Sequence, residues 1–169
     1  FSAVVLATHA DQALALLADP SEEESRLLSP WRYQANQVTL HTDYASVLPP
    51  LRRAWASWNY SRETSEAGVP PEQAPVSVTY HMNRLQRLRT QAEYCVSLNR
   101  RHPVDADAVI AEMTYMHPTY TFESMATQTY LPTLNGQRAT YFCGSYFGYG
   151  FHEDAVRSAV KMANGLGME

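Results

Sequence analysis

Hydrophobic and polar residues are ordered along this chain in three ways, and each predicts a different element. An unbroken apolar run from Ala3 to Ala7 suits a strand covered on both faces. Helical spacing follows at once in "HADQALALLAD", through Ala10, Leu14 and Leu17. "DPSEEESRLL" predicts a second helix, with Ser21 as N-cap, Glu24 at the capping-box position and acids in the first turn. Strict alternation then takes over in "QANQVTLHTD", "AWASWNY" and "APVSVTYHMN", which read as antiparallel strands with β-branched and aromatic residues on one face. The polar stretch "SRETSEAGVPPEQ", with Gly68 and two prolines, predicts an exposed connection.

Further on, "NRLQRLR" allows one or two helical turns, and "EYCVSLN" and "AVIAEMTYMHP" are strand-like on either side of the turn "RRHPVDAD". A helix is expected in "TFESMATQTYL", a turn at Asn135-Gly136, and a last strand from Thr140 to Cys143. "GSYFGYGFHEDAVRSAVKMANGLG" closes the chain as a glycine-rich loop and a helix. The fold class is therefore α+β: an antiparallel sheet with flanking helices, inserted between two strand-helix units at the ends of the chain.

Composition narrows the function classes. The 169 residues are 45% hydrophobic and 18% charged, which describes a soluble globular chain with a sizeable core. A net charge of -4, with arginines paired only at Arg52-Arg53 and Arg100-Arg101, argues against a nucleic-acid surface. Cys95 and Cys143 lie far apart without metal spacing, so a reduced, cytoplasmic protein is the default reading, with a disulfide between them left open. No apolar run approaches the ~20 residues of a membrane span. The chain opens on Phe1, directly ahead of a buried-type strand, and is expected to be a fragment.

In open α/β layers ligands bind beyond the carboxyl ends of the strands, which here means Thr8-His9 and Gly144 to Glu153. Gly144, Gly148 and Gly150 let a backbone approach a ligand, and the following helix offers unpaired N–H groups to an electron-rich partner. Glu153 and Asp154 serve equally well as first-turn acids that need no ligand. Other chemistry is weaker. His41 and Asp43 supply two metal ligands without a third and read as a surface pair. His152-Glu153-Asp154 lacks the i, i+4 spacing of a helical zinc motif, so no metal is expected. Ser145 has no neighbouring base, and Cys143 reads as inert packing.

The stretches "VVLATHADQAL", "WASWNY", "VTYHMNRLQ", "MTYMHP" and above all "YFCGSYFGYGFHEDAVRSA" resemble the flavin-containing amine oxidase superfamily. Across nearly the whole chain they are similar to bacterial FAD-dependent amine oxidoreductases, often labelled NAD/FAD-binding proteins. The resemblance implies that Gly144 and Ser145 lie near the ribityl-pyrophosphate of FAD, and that Gly150, Phe151, His152 and Glu153 offer helix N–H groups to the flavin pyrimidine ring. It assigns no catalytic residue.

Two departures from that family refine the expectation. No GxGxxG and no ribose-binding acid occur, so the chain is similar to the C-terminal part of such a protein. Residues 1–20 and 139–169 would then be remnants of a Rossmann-like FAD domain, and 21–138 the substrate domain. FAD is expected in the complete protein and not in the isolated chain. The missing N-terminal half becomes a partner, and the exposed Ala3–Ala7 edge an invitation to homodimers. Many amine oxidases of this superfamily keep a lysine on a substrate-domain strand, whereas the single lysine here, Lys161, lies on the terminal helix. Desaturation or another hydride removal from an apolar substrate then stands beside amine oxidation. Trp55, Trp58, Tyr60, Tyr80 and Tyr146, with Tyr115 and Tyr120, are the candidate walls of a small-molecule substrate pocket. The alternative is a noncatalytic binding domain that uses its aromatic sheet face. Substrate and electron acceptor are not legible.

Overall fold

The computed structural model describes residues 1–62 and 76–166, so the connection expected around Gly68 lies outside the described residues from residue 63 on. Two compact units form: Phe1–Gln34 with His117–Glu169, and Ala35–Met116. The architecture is α+β, with a five-stranded sheet and flanking helices.

In the first unit, β1 (Val4–Leu6) pairs in parallel with β7 (Thr140–Phe142), in the register Val4–Thr140, Val5–Tyr141 and Leu6–Phe142. The apolar run suggested a strand covered on both faces; instead Val4 and Val5 are 48% and 43% exposed, because this sheet has two strands among the described residues. After β1 the chain turns through His9 into α1 (Ala10–Leu16), whose first amide donates to the Tyr33 hydroxyl at 3.0 Å. α2 (Glu22–Leu28) starts as its sequence specifies. The Ser21 hydroxyl accepts the Glu24 amide at 3.1 Å and the Glu24 carboxylate accepts the Ser21 amide at 2.7 Å, a cap worth about 1 kcal/mol. α4 (Phe122–Gln128) is capped by Thr121 in the same way. The Asn135-Gly136 turn forms with Gly136 at φ +87°, and the Asn135 side chain accepts the Phe142 amide at 2.6 Å.

These elements converge on Trp31, which is buried with Leu27, Leu28, Leu131, Leu134, Phe142 and Tyr146. Its indole N–H donates to the Thr127 hydroxyl at 3.2 Å, and its ring meets Tyr120 and Tyr146 edge-on at 5.6 and 5.7 Å.

The five-stranded sheet has the order β3 (Trp58–Arg62), β4 (Val76–His81), β5 (Cys95–Leu98), β2 (Arg32–His41), β6 (Val109–Thr119), and its β3–β4, β4–β5 and β5–β2 ladders are antiparallel. Both β2 and β6 run from one unit into the other. The strand expected in "AWASWNY" begins only at Trp58, because Arg52–Ala54 form a 3-10 turn that carries Trp55 inward ahead of it. α3 (Met82–Leu85) is a single turn, and the chain leaves it through Arg87 at φ +55°.

Candidate functional site

The glycine-rich segment leaves β7 and is fixed on every side within its own unit. Ser158 on α5 (His152–Gly165) accepts the Gly144 amide at 2.9 Å. The Gly148 carbonyl accepts from the Tyr120 hydroxyl at 3.1 Å and from the Gln128 side chain at 2.6 Å. The Ser145 carbonyl accepts the amides of Gly148 and Gly150, at 3.1 and 3.2 Å. Asp154 anchors the segment. Its buried carboxylate accepts the amides of Tyr149 and Phe151, at 2.9 and 3.1 Å, and faces Arg157 at 3.3 Å.

Three glycines are required by contact, the first being Gly144, where a Cβ would lie 2.7 Å from Cε1 of the buried Tyr146 ring. A Cβ at Gly148 would lie 2.5 Å from Asp154 Oδ1, and one at Gly150, where φ is +90°, would lie 2.8 Å from the Tyr120 hydroxyl. Burial pushes the Tyr120 hydroxyl up to about 12, with the Asp154 charge adding to the shift, so it stays a donor at neutral pH.

Of the residues singled out for a cofactor, Gly144 and Ser145 lie at the carboxyl end of β7, and Gly150 to Glu153 lead into the first turn of α5. Phe151, His152 and Glu153 present exposed side chains there, and helix geometry leaves the amides of His152 and Glu153 without an intrahelical acceptor. Gly150 and Phe151 spend their amides on the Ser145 carbonyl and the Asp154 carboxylate, so of the four expected donors His152 and Glu153 are the two left to meet an electron-rich ring edge. Asp154, read from sequence only as a first-turn acid, is the residue that organises the loop. Its spacing three after Phe151, the N-cap, is the one signal that pointed to it.

The proposed substrate walls separate by unit. Tyr146 is 1% exposed and belongs to the Trp31 core. Trp55 is buried with Val47, Leu48 and Cys95 in the other unit, where its indole donates to the Pro49 carbonyl at 2.7 Å, Arg52 stacks on it at 4.6 Å and His81 meets it edge-on. Trp58 and Tyr80 are brought together as a cross-strand pair, edge to face at 5.1 Å. Tyr60 stands beside them, 65% exposed.

The ladders show what these aromatics belong to. Leu40, Val96, Tyr80 and Trp58 form one row across four strands, and Val38, Leu98, Val78 and Tyr60 a second on the same face. The opposite face carries Thr39, Ser97, Thr79 and Asn59, flanked by His41, Cys95 and His81. The burial is inverted. Asn59, Ser77, Thr79, Ser97, His41 and His81 are all buried, while Trp58, Tyr60 and Val76 are exposed. Hydrogen bonds satisfy much of the polar face: His41 to Ser97 at 2.9 Å, Ser97 to Thr79 at 2.8 Å, and His81 to Glu93 at 2.8 Å, with Arg52 also on Glu93. His41, read as half of a surface pair, is fully buried, and burial lowers its pKa against the pull of the Asp43 carboxylate.

Among the described residues no group of three or more His, Cys, Asp or Glu side chains gathers at one point. No described helix is long and apolar enough to cross a membrane. Cys95 and Cys143 are free and buried, and burial pushes the Cys95 thiol up to about 12 and the Cys143 thiol upward, so neither is a ready nucleophile.

No family model matches the chain, and no curated protein does. Among solved structures, the chain is similar to the crystal structure of a CLA-producing fatty acid isomerase from P. acnes, with a TM-score of 0.56 and 14% identity. The match covers 96% of this chain and 41% of the isomerase chain, so this chain spans about two-fifths of that protein's length, and the likeness at this identity is one of fold.

Proposed function

We propose that the chain is the C-terminal part of an FAD-dependent oxidoreductase of the amine-oxidase type, acting on an apolar or amine substrate. The observation that carries this reading is the parallel β1–β7 pair. Each strand runs at its carboxyl end into a turn and a helix, and Gly144 lies so close to the Thr8 carbonyl that a Cβ there would stand 3.3 Å from it. FAD, when bound, supplies the hydride acceptor. The chain's own part is to hold and orient: Gly144 and Ser145 offer close backbone approach, and the amides at the start of α5 face the pyrimidine edge. Asp154, Ser158, Tyr120 and Gln128 keep the loop in place; Ser158 takes the Gly144 amide and Asp154 that of Phe151, while the amides of His152 and Glu153 stay available.

In this reading residues 1–20 and 139–169 belong to the FAD domain, 21–138 to the substrate domain, and the GxGxxG half lies elsewhere in the complete protein. An apolar substrate is favoured by the partly open apolar sheet face and by the action of the similar isomerase on a fatty acid. Lys161 sits on α5 beside Asp154 and Arg157, so hydride removal without a strand-borne lysine is preferred to simple amine oxidation. β1 has one edge without a strand partner among the described residues, and we propose that the chain alone self-associates there.

The test is flavin absorbance. The polypeptide from the complete reading frame should purify with stoichiometric FAD, while these 169 residues alone should be colourless. A flavin-free complete protein would overturn the assignment and favour a binding domain that uses Trp58 and Tyr60, both exposed on the sheet.

A further inference from the structure

The five-stranded sheet buries its polar face and leaves its apolar face only partly covered, with Trp58, Tyr60 and Val76 exposed, Leu40 and Val96 half-buried and Val38 buried. On that face, within the unit Ala35–Met116, lies a cavity of about 430 Å³. Its volume falls within the ~300–1,000 Å³ of small-ligand sites. Val38, Leu40 and Val96 contribute from the sheet, Met113 and Tyr115 from β6, and Met82 and Leu88 from α3 and the loop behind it. No ionised side chain lines it.

The loop that closes one side is built, not loose. The Asn83 side chain accepts the Tyr94 amide at 2.7 Å and donates to the Ala92 carbonyl at 2.7 Å and the Thr90 hydroxyl at 3.1 Å, which ties both ends of the segment 83–94. That segment sets Leu88 against the cavity between two exposed arginines, Arg87 and Arg89. Neither arginine enters an ion pair among the described residues. An apolar hollow in which one lining residue, Leu88, is flanked in the chain by two exposed cations outside any such ion pair has a definite complement. We propose that this cavity binds a single hydrocarbon chain bearing an anionic head group, with the chain over Val38, Leu40 and Val96 and the head held by Arg87 and Arg89.

The methionines suit this role, since Met82 and Met113 carry unbranched, polarisable side chains that adapt to a flexible chain. As the substrate site of an oxidoreductase the cavity rests on the function proposed above. As a binding site it does not.

Methionine-methyl NMR on the 169-residue chain tests it, using octanoate, decanoate, dodecanoate, dodecanol and dodecylammonium at monomeric concentrations. Dodecanoate should shift the Met82 and Met113 methyls, with affinity rising about fourfold per methylene buried from octanoate upward. Dodecylammonium should bind more weakly than dodecanoate. Arg87→Gln with Arg89→Gln should weaken dodecanoate binding on the order of tenfold, as expected for two exposed pairs, and leave dodecanol unchanged. Leu88→Glu should weaken both ligands. Shifts confined to other methionines, equal binding of the amine and the carboxylate, or indifference to the arginine pair would each overturn the proposal. So would arginine-dependent binding to phosphatidylglycerol vesicles while dodecanoate leaves Met82 and Met113 unmoved. Flavin plays no part in this readout, so its failure would leave the cofactor assignment standing, and a flavin-free complete protein that bound dodecanoate would leave this site standing.

Discussion

The two compact units bury different things. In Phe1–Gln34 with His117–Glu169 the centre is Trp31, Tyr146, Phe142 and a set of leucines, and its polar groups serve caps and the glycine loop. In Ala35–Met116 the most deeply buried side of the sheet is a polar row, covered by the small cluster of Val47, Leu48, Trp55 and Cys95. Apolar burial is non-directional and tolerates rearrangement, whereas a buried polar row holds only while each donor keeps its acceptor. The first unit should therefore fail by losing volume, and the second by losing partners or changing charge.

The largest effect is expected where volume is lost. Trp31→Ala removes the most central ring of its unit, leaves the Thr127 hydroxyl without its indole donor, and should cost about 3–5 kcal/mol in urea unfolding. A loss below about 1 kcal/mol would show that the cluster collapses into the gap and would break the contrast. Asp154→Ala comes next. It leaves the amides of Tyr149 and Phe151 unpaired beside a helix start, which should cost about 1–3 kcal/mol. Amide hydrogen exchange should speed up at those two residues while the Trp31 core stays protected. Unchanged exchange there would mean that Tyr120, Gln128 and Ser158 hold the loop without the carboxylate.

How much of this was legible follows from where the signals lie. Helix starts are local, so Ser21 with Glu24 marked α2 correctly, and alternation marked the sheet strands because the side-chain period of two survives any packing. Alternation does not say which face is covered. The β-branched and aromatic face is open at Trp58, Tyr60 and Val76, though Val38 on it is buried, because the chain from Asp43 to Trp55 folds over the polar side instead. Local pattern also could not show that Val4 and Val5 have no second strand neighbour among the described residues, since strand pairing is a long-range fact. In the glycine loop the sequence indicated position and composition. The contacts that make Gly148 and Gly150 necessary come from Asp154, six residues from the first, and Tyr120, thirty from the second, and only folding brings them together. For that reason Gly150→Val would strain the loop itself at positive φ, and cannot by itself report on a cofactor.

The smallest effect, and the sharpest test of the polar row, is its dependence on pH. His41 hydrogen bonds Ser97 through Nε2, and burial lowers its pKa from the ordinary 6.5, opposed by the charge and backbone of Asp43 and assisted by Arg100. The folded chain thus holds this proton less readily than the unfolded chain. As pH falls below about 6.5, the unfolded state gains a proton that the folded state refuses, and stability declines until the folded pKa is passed. Stability from His41 is therefore fully present above the unfolded value, and its loss cannot exceed about 1.4 kcal/mol per pH unit for one proton. His41→Gln keeps a side chain able to hydrogen bond Ser97 and cannot titrate. Urea midpoints measured from pH 7.5 to 5.5 should fall for the parent and fall less for this variant. Parallel curves would place the acid sensitivity elsewhere and would remove the charge argument from the comparison of the two units.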